Sequence, residues 1–132
     1  MSKLETWSPY ALSLLRMIAG LLFLEHGLMK LIHFPAAQPG VSGDLPPMLL
    51  AAGIIEAVGG GLITLGLFTR FAAFIASGEM AAAYFTAHFK RGFWPALNGG
   101  DAAILFCFVF FYLVFAGAGA VSLDQMIRKP RS

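Results

Sequence analysis

A chain of 132 residues with 58% hydrophobic and 12% charged residues is too poor in charge for a soluble domain, where about 25% is usual. Its mean hydropathy of +0.77 points to a bilayer. The net charge of +2, with no basic patch interleaved with aromatics, gives nucleic acid no footing, and the single cysteine, Cys107, excludes an internal disulfide, a cysteine-ligated cluster or a CxxC pair.

Residues 1–7 read as a short polar arm without the pattern of a cleaved signal peptide. Ser8-Pro9 reads as a helix start, and the apolar run over 9–34 would reach ~39 Å at ~1.5 Å per residue. That exceeds the ~30 Å hydrocarbon core. Four prolines between Pro35 and Pro47 make a stiff first loop. A second span is predicted over 48–68, where Gly53, Glu56, Gly60 and Ile63 share one face. Gly66-Leu-Phe-Thr-Arg70 is a tight link that makes the third span, 71–89, antiparallel to the second. Ala72, Ala76, Glu79, Ala83 and Thr86 share a face of that span. Asn98-Gly99-Gly100 reads as a turn before Asp101, which opens a Phe-rich, uncharged fourth span over 102–121. Ser122-Leu-Asp124 reads as a cap for a short terminal segment, followed by the basic tail Arg128-Lys129-Pro130-Arg131.

The expected fold is therefore an all-α membrane protein: one domain over 1–132, a four-transmembrane-helix bundle with antiparallel neighbours. Lys3, Arg70, Arg128, Lys129 and Arg131 fall on one side, and Lys30, Lys90 and Arg91 on the other. This bias places both termini in the cytoplasm.

Ionisable groups inside apolar spans are expensive, and each needs a partner. Arg16, Gly20, Gly27 and Lys30 share a face of the first span, with His26 beside it and Glu25 roughly opposite Arg16. Glu56 and Glu79 lie near mid-depth. The expected arrangement sets Arg16 against Glu56 or Glu79, with His26 and Lys30 above them, opening outward. The same pairs can also be purely structural, fixing which helix lies against which. Glu25 is left to be neutral, to pair with another helix or to serve an oligomer contact. His33, His88, Lys30 and Lys90 suit an interface, where lysines snorkel. Cys107 reads as an inert small hydrophobe.

Arg16-x3-Gly20, His26-Gly27-x2-Lys30-Leu31, Glu56-x2-Gly59-Gly60, Gly66-Leu-Phe-Thr-Arg70, Asn98-Gly99-Gly100-Asp101 and Ser122-Leu-Asp124 resemble the DoxX family, and the motif order covers nearly the whole chain. Asp101 departs from the Glu expected after the Asn-Gly-Gly turn, and Glu25 lies outside the pattern. The resemblance implies a small four-helix inner-membrane protein of a bacterium or archaeon. It also implies a link to thiosulfate:quinone oxidoreductase or oxidative-stress systems, and it adds Asn98 and Asp101 to the candidate ligand-binding residues.

Three functions compete. The first is a membrane subunit of a quinone-linked redox system. Arg16 and His26 would bond the quinone carbonyls, Glu56 would relay protons, and a partner protein would bring electrons. The second is a lipid or small-amphiphile binding protein or enzyme, with Arg16, His26 and Lys30 on an anionic head group and Glu56 as base. The third is a proton-coupled transporter using Glu56 and Glu79, which would need a homo-oligomer. A haem between His26 and His88 is a fourth, weaker reading. A bound quinone or lipid is the expected ligand, with no covalent cofactor and no metal.

Overall fold

A computed structural model describes residues 2–41 and 43–128. All regular structure among them is helical: α1 (Lys3–Ile32), α2 (Pro47–Leu65), α3 (Thr69–Ala83), α4 (Pro95–Asn98), α5 (Asp101–Ala116) and α6 (Leu123–Arg128). A π-helical turn, Tyr84–His88, and a 3-10 turn, Phe89–Arg91, prolong α3. Two of these helices, α1 and α2, are long and apolar enough to cross a membrane, and α5 is a shorter apolar helix.

The first helix starts earlier than Ser8-Pro9. Ser2 and Glu5 form a reciprocal cap: the Ser2 hydroxyl accepts from the Glu5 N–H at 3.3 Å, and the Glu5 carboxylate accepts from the Ser2 N–H at 2.6 Å. This cap meets two orphan N–H groups together and outcompetes a start at Ser8. Residues 3–7 are therefore helical and Pro9 lies inside α1. The carbonyl of Pro9 takes a tertiary role, accepting from the Ala120 N–H at 3.1 Å. The fourth long helix stops at Ala116, short of 121, because Gly117 and Gly119 leave helical geometry at positive φ. Arg128 closes α6, while Lys129 and Arg131 of the expected tail lie outside the described residues.

Helices α1 and α2 pack most intimately. A side chain at Gly60 would sit 2.7 Å from Cα of Leu24, and one at Gly20 would sit 2.7 Å from the Thr64 backbone nitrogen. Gly27 lies equally hard against the Ala57 backbone, while Gly53 lies against the Leu31 side chain, where an added carbon would sit 3.0 Å from Cδ2. The pairs Gly20–Thr64, Leu24–Gly60, Gly27–Ala57 and Leu31–Gly53 run in opposite directions, so the helices are antiparallel. Small residues permit such contact, which dispersion then rewards. Helix α3 packs against α2 and α5, and α5 meets α1, which closes a ring of four long helices. Its centre holds Phe23 of α1, Ile63 of α2, Ala73 and Ala76 of α3, and Phe110 and Leu113 of α5. The outer faces stay apolar: Ile18, Leu22, Ile54, Val58, Phe74, Phe108 and Phe115 are all exposed. Water does not suit so continuous an apolar surface, and lipid does.

One end of the ring is closed by Asp124. Its carboxylate accepts from the backbone N–H groups of Phe68 at 2.8 Å and Thr69 at 3.0 Å, while its own N–H donates to the Gly66 carbonyl at 2.8 Å. Helix α6 thus supplies the N-terminal cap that α3 lacks in its own sequence. Burial alone would raise the Asp124 pKa. Hydrogen bonds from the Thr69 and Phe68 backbone N–H groups, with the charge of Arg128, outweigh it and hold the carboxyl below its ordinary value. Because the folded-state value is the lower one, this contribution is complete above the unfolded value of about 3.9 and is lost as pH falls through the folded value. Asp124→Ala is expected to lower stability by about 1–2 kcal/mol near pH 7. Thermal unfolding in detergent should show that gap closing below about pH 4; a gap that persists at low pH would contradict the charged cap.

Candidate functional site

The close approach of α1 and α2 creates the polar centre of the molecule. With hydrogen in place of a side chain at Gly27 and Gly53, Lys30 and Glu56 face each other across the helix contact. Lys30 Nζ donates to Glu56 Oε2 at 2.7 Å, and the side chains are 7% and 3% exposed. With so little exposure, the Coulomb attraction between the two is only weakly screened.

Glu79, on α3, brings a second carboxylate into interaction with Glu56 and Lys30. Its Oε2 is buried without a hydrogen-bond partner. These three groups open into a cavity of about 740 Å³, within the range that holds small organic ligands. Its walls are largely apolar, with Phe23, Met29, Met48, Ile75, Met80 and Phe106 among them. His26 stands at its side, edge-on to Phe106 with ring centroids 6.0 Å apart. The π-helical turn after α3 adds Thr86 and His88 to the lining. Such turns widen a helix locally and often shape binding sites.

Arg16 belongs elsewhere. It is 1% exposed, and its guanidinium donates to the carbonyls of Ala118 and Thr64, the latter at 3.4 Å. Those carbonyls lie at the C-terminal end of α2 and just beyond α5, where orphan acceptors and the helix dipoles both favour a cation. Arg70 does the same for α5, donating to the Val114 carbonyl at 2.8 Å and to the Phe115 carbonyl at 2.5 Å. The expected pairing of Arg16 with Glu56 or Glu79 is therefore corrected: Glu56 pairs with Lys30, and Arg16 ties the opposite end of the ring together. Lys30 in turn is buried and paired, so it does not snorkel.

The remaining candidates divide in the same way. Asn98 is buried and builds its own turn, donating to the Tyr84 hydroxyl at 3.2 Å and the Gly92 carbonyl at 3.0 Å and accepting from Gly100 N–H at 2.8 Å. Asp101 is exposed at the start of α5, and neither residue lines the cavity. Glu25 is exposed on α1, and His33 ends that helix in a left-handed conformation. Cys107 is half-buried, and its carbonyl accepts from the Ser77 hydroxyl at 2.8 Å. Sequence reasoning missed Gln38 and Thr86 as cavity residues and placed His88 at the interface. Thr86 was legible as the continuation of the Glu79 face; Gln38 reaches the cavity through the fold of the first loop, which carries no periodic signal.

The DoxX family profile matches residues 11–89. A protein of Haemophilus influenzae described as an uncharacterized protein is 48% identical over 133 residues, which cover 98% of this chain and 99% of its own length. The uncharacterized membrane protein Rv3486 of Mycobacterium tuberculosis is 26% identical over 141 residues, which cover 96% of this chain and 86% of its own. No solved structure is matched significantly.

The Lys30–Glu56 pairing has a direct test in unfolding measurements. Lys30→Met or Glu56→Gln alone should destabilise by about 3–5 kcal/mol, since each strands a buried polar partner. The double variant should recover more than half of the summed loss. Arg16→Met combined with Glu56→Gln should instead be additive to within about 0.5 kcal/mol.

Proposed function

The chain belongs to the DoxX family of membrane proteins, and on that premise we propose that it is the membrane subunit of a quinone-linked redox system, binding the quinone in the cavity above Lys30, Glu56 and Glu79. The observation that carries this reading is the cavity's construction: apolar walls of Met and Phe around a buried, charged floor. A quinone is an apolar ring and tail with polar oxygens, and it needs both parts. Glu56 and Glu79, with His26 at the side, are placed to take up and pass on protons as the ligand changes redox state. A partner subunit supplies the electrons. Arg16 and Asn98 act in this reading as framework that holds the helices in position, and Asp101 stands exposed outside the cavity.

The geometry favours a quinone over an anionic lipid head group. The latter was to be held by Arg16, His26 and Lys30 together. Arg16 is committed at the other end of the ring, and Lys30 already faces two carboxylates.

The proposal takes residues 1–132 as one domain, because α5 covers Phe23 and α6 caps α3. It also takes α1, α2, α3 with its following turns, and α5 as four spans in a bacterial or archaeal inner membrane. Both termini then lie in the cytoplasm, with Arg70 and Arg128 on that side. A fluorescent-protein fusion at the C-terminus should then glow and a phosphatase fusion there should stay inactive; the opposite result would invert the topology.

The ligand reading is tested by calorimetric titration of decylubiquinone into the protein in lipid nanodiscs. Saturable binding is expected, weakened at least about tenfold (~1.4 kcal/mol) in the Lys30→Met/Glu56→Gln double variant and little changed in Asp101→Asn. Absence of saturable binding to the folded protein would overturn the proposal.

A further inference from the structure

The end of the ring closed by Asp124 carries a cleft of about 620 Å³ between the first turns of α1, the end of α5 and α6. Arg70 and Arg128 both line it. One nitrogen of Arg70 fixes its guanidinium: Nη1 donates to the Val114 carbonyl at 2.8 Å and to the Phe115 carbonyl at 2.5 Å. A guanidinium has five N–H donors, so three remain, one on Nε and two on Nη2. Among the described residues nothing accepts from them. Nε–H and one Nη2–H point the same way, as the fork that takes two oxygens of a single phosphate or carboxylate. Gly117 keeps the space beside this fork clear. It stands at φ 78°, and a carbon added there would sit 3.0 Å from Nη2 and 3.6 Å from Nε.

The surroundings of the fork add charge and donors. Arg128 is exposed, and its side chain makes no hydrogen bond or ion pair among the described residues. The hydroxyls of Ser8 and Tyr112 and the Gln125 amide also line the cleft, exposed and bonded to no protein group among those residues. Asp124 is the acidic residue of the lining, and both of its oxygens are taken by the Phe68 and Thr69 N–H groups. Two cations thus stand against one carboxylate that is already engaged at a helix N-terminus.

The cleft lies at the level of lipid head groups. It stands at the end of the apolar helix α5, beside Trp7 and Tyr10, an exposed aromatic pair on the first turns of α1 with ring centroids 5.5 Å apart. Exposed Met126 and Ile127 on α6 suit the same boundary. From Tyr112 an exposed stripe of α5 runs back along the helix through Phe108 and Leu105. We propose that this cleft is a binding site for an anionic phospholipid, with the phosphodiester on the Arg70 fork, Arg128 beside it, and an acyl chain along Phe108 and Leu105. Basic pockets between membrane helices take such head groups on the cytoplasmic side, where the topology proposed above puts this end. A zwitterionic lipid would bring an ammonium group against the same two arginines, and a soluble anion would leave the apolar stripe uncovered. The site shares no lining residue with the cavity beside Lys30, Glu56 and Glu79, and does not depend on what that cavity holds.

Native mass spectrometry of the whole protein in detergent tests this with three probes: phosphatidylglycerol, phosphatidylcholine with the same acyl chains, and glycerophosphoglycerol, the head group without chains. Phosphatidylglycerol is expected to bind at least about tenfold tighter than either of the others. Arg128→Gln removes an exposed charge that no hydrogen bond uses, and should weaken phosphatidylglycerol about fivefold while leaving phosphatidylcholine unchanged. Arg70→Lys keeps a cation at the end of α5 but has no fork, and should bring the ratio of the two lipids toward one. Lys3→Gln, the same loss of charge outside the cleft, should change neither affinity. Equal affinity for the two lipids would overturn the proposal. So would a loss in Lys3→Gln equal to that in Arg128→Gln, which would show diffuse attraction without a site. Glycerophosphoglycerol binding as tightly as phosphatidylglycerol would assign the fork to a soluble anion and overturn the lipid reading.

Discussion

The close packing of α1 on α2 is the constraint on which the rest of the structure depends. Gly20, Gly27 and Gly60 bring two backbones together where a single methyl group would collide with main-chain atoms. Glycine costs roughly 1 kcal/mol of helix propensity at each position. In return the helices lock in one register, since any shift along the axis would drive a side chain into a backbone. That register decides which of the charged groups on the two helices meet. It sets Glu56 opposite Lys30 and seals both from solvent, and it leaves Arg16 beside the end of α2.

The ring that results has two ends of different chemistry. At one end, positive side chains answer helix C-termini and a carboxylate answers a helix N-terminus: Arg16 and Arg70 on the carbonyls that end α2 and α5, and Asp124 on the first N–H groups of α3. Each of these three charges has an architectural partner, and among the described residues of this region Arg16 Nε and the Thr69 hydroxyl oxygen are buried without a hydrogen bond. At the other end, two carboxylates share one lysine, and the space beside them is open. Charges that complete helices are consistent with structure alone. A second buried carboxylate, with one oxygen left without a hydrogen bond, is not explained by helix capping.

That contrast also separates the two meanings a buried charge can have in an apolar chain. Arg16 and Lys30 look alike in the sequence: both sit on the inner stripe of α1, both would be costly in lipid, and both have a carboxylate within plausible reach. They differ only in what the neighbouring helices present to them. For Arg16 that is main-chain carbonyl, which cannot move a proton at neutral pH. For Lys30 it is the carboxyl groups of Glu56 and Glu79, which belong to titratable side chains.

Much of the fold is written in periodicity. The inner stripe of α1 through Arg16, Gly20, Gly27 and Lys30, the face of α2 through Gly53, Glu56, Gly60 and Ile63, and the tight turn at Gly66 are all found where spacing and turn chemistry place them. These features are local: they follow from 3.6 residues per turn and from the residues that tolerate left-handed backbone. Ser8-Pro9 and the Ser2–Glu5 box are both valid local start signals for α1, and the box prevails because it satisfies more N–H groups.

What remained for the tertiary structure was the choice of partners. Arg16 and Lys30 are about 14 residues apart, ~21 Å along a helix, so only one of them can reach Glu56. Which one does depends on the slide of α2 against α1, and no property of either helix alone states it. The approach of Glu79 and the entry of Gln38 from the first loop likewise depend on contacts between elements distant in the chain. Composition and periodicity determine that the chain forms apolar helices with polar inner stripes, because those are properties of single segments. The chemistry of the site is a property of their packing, and packing decides it.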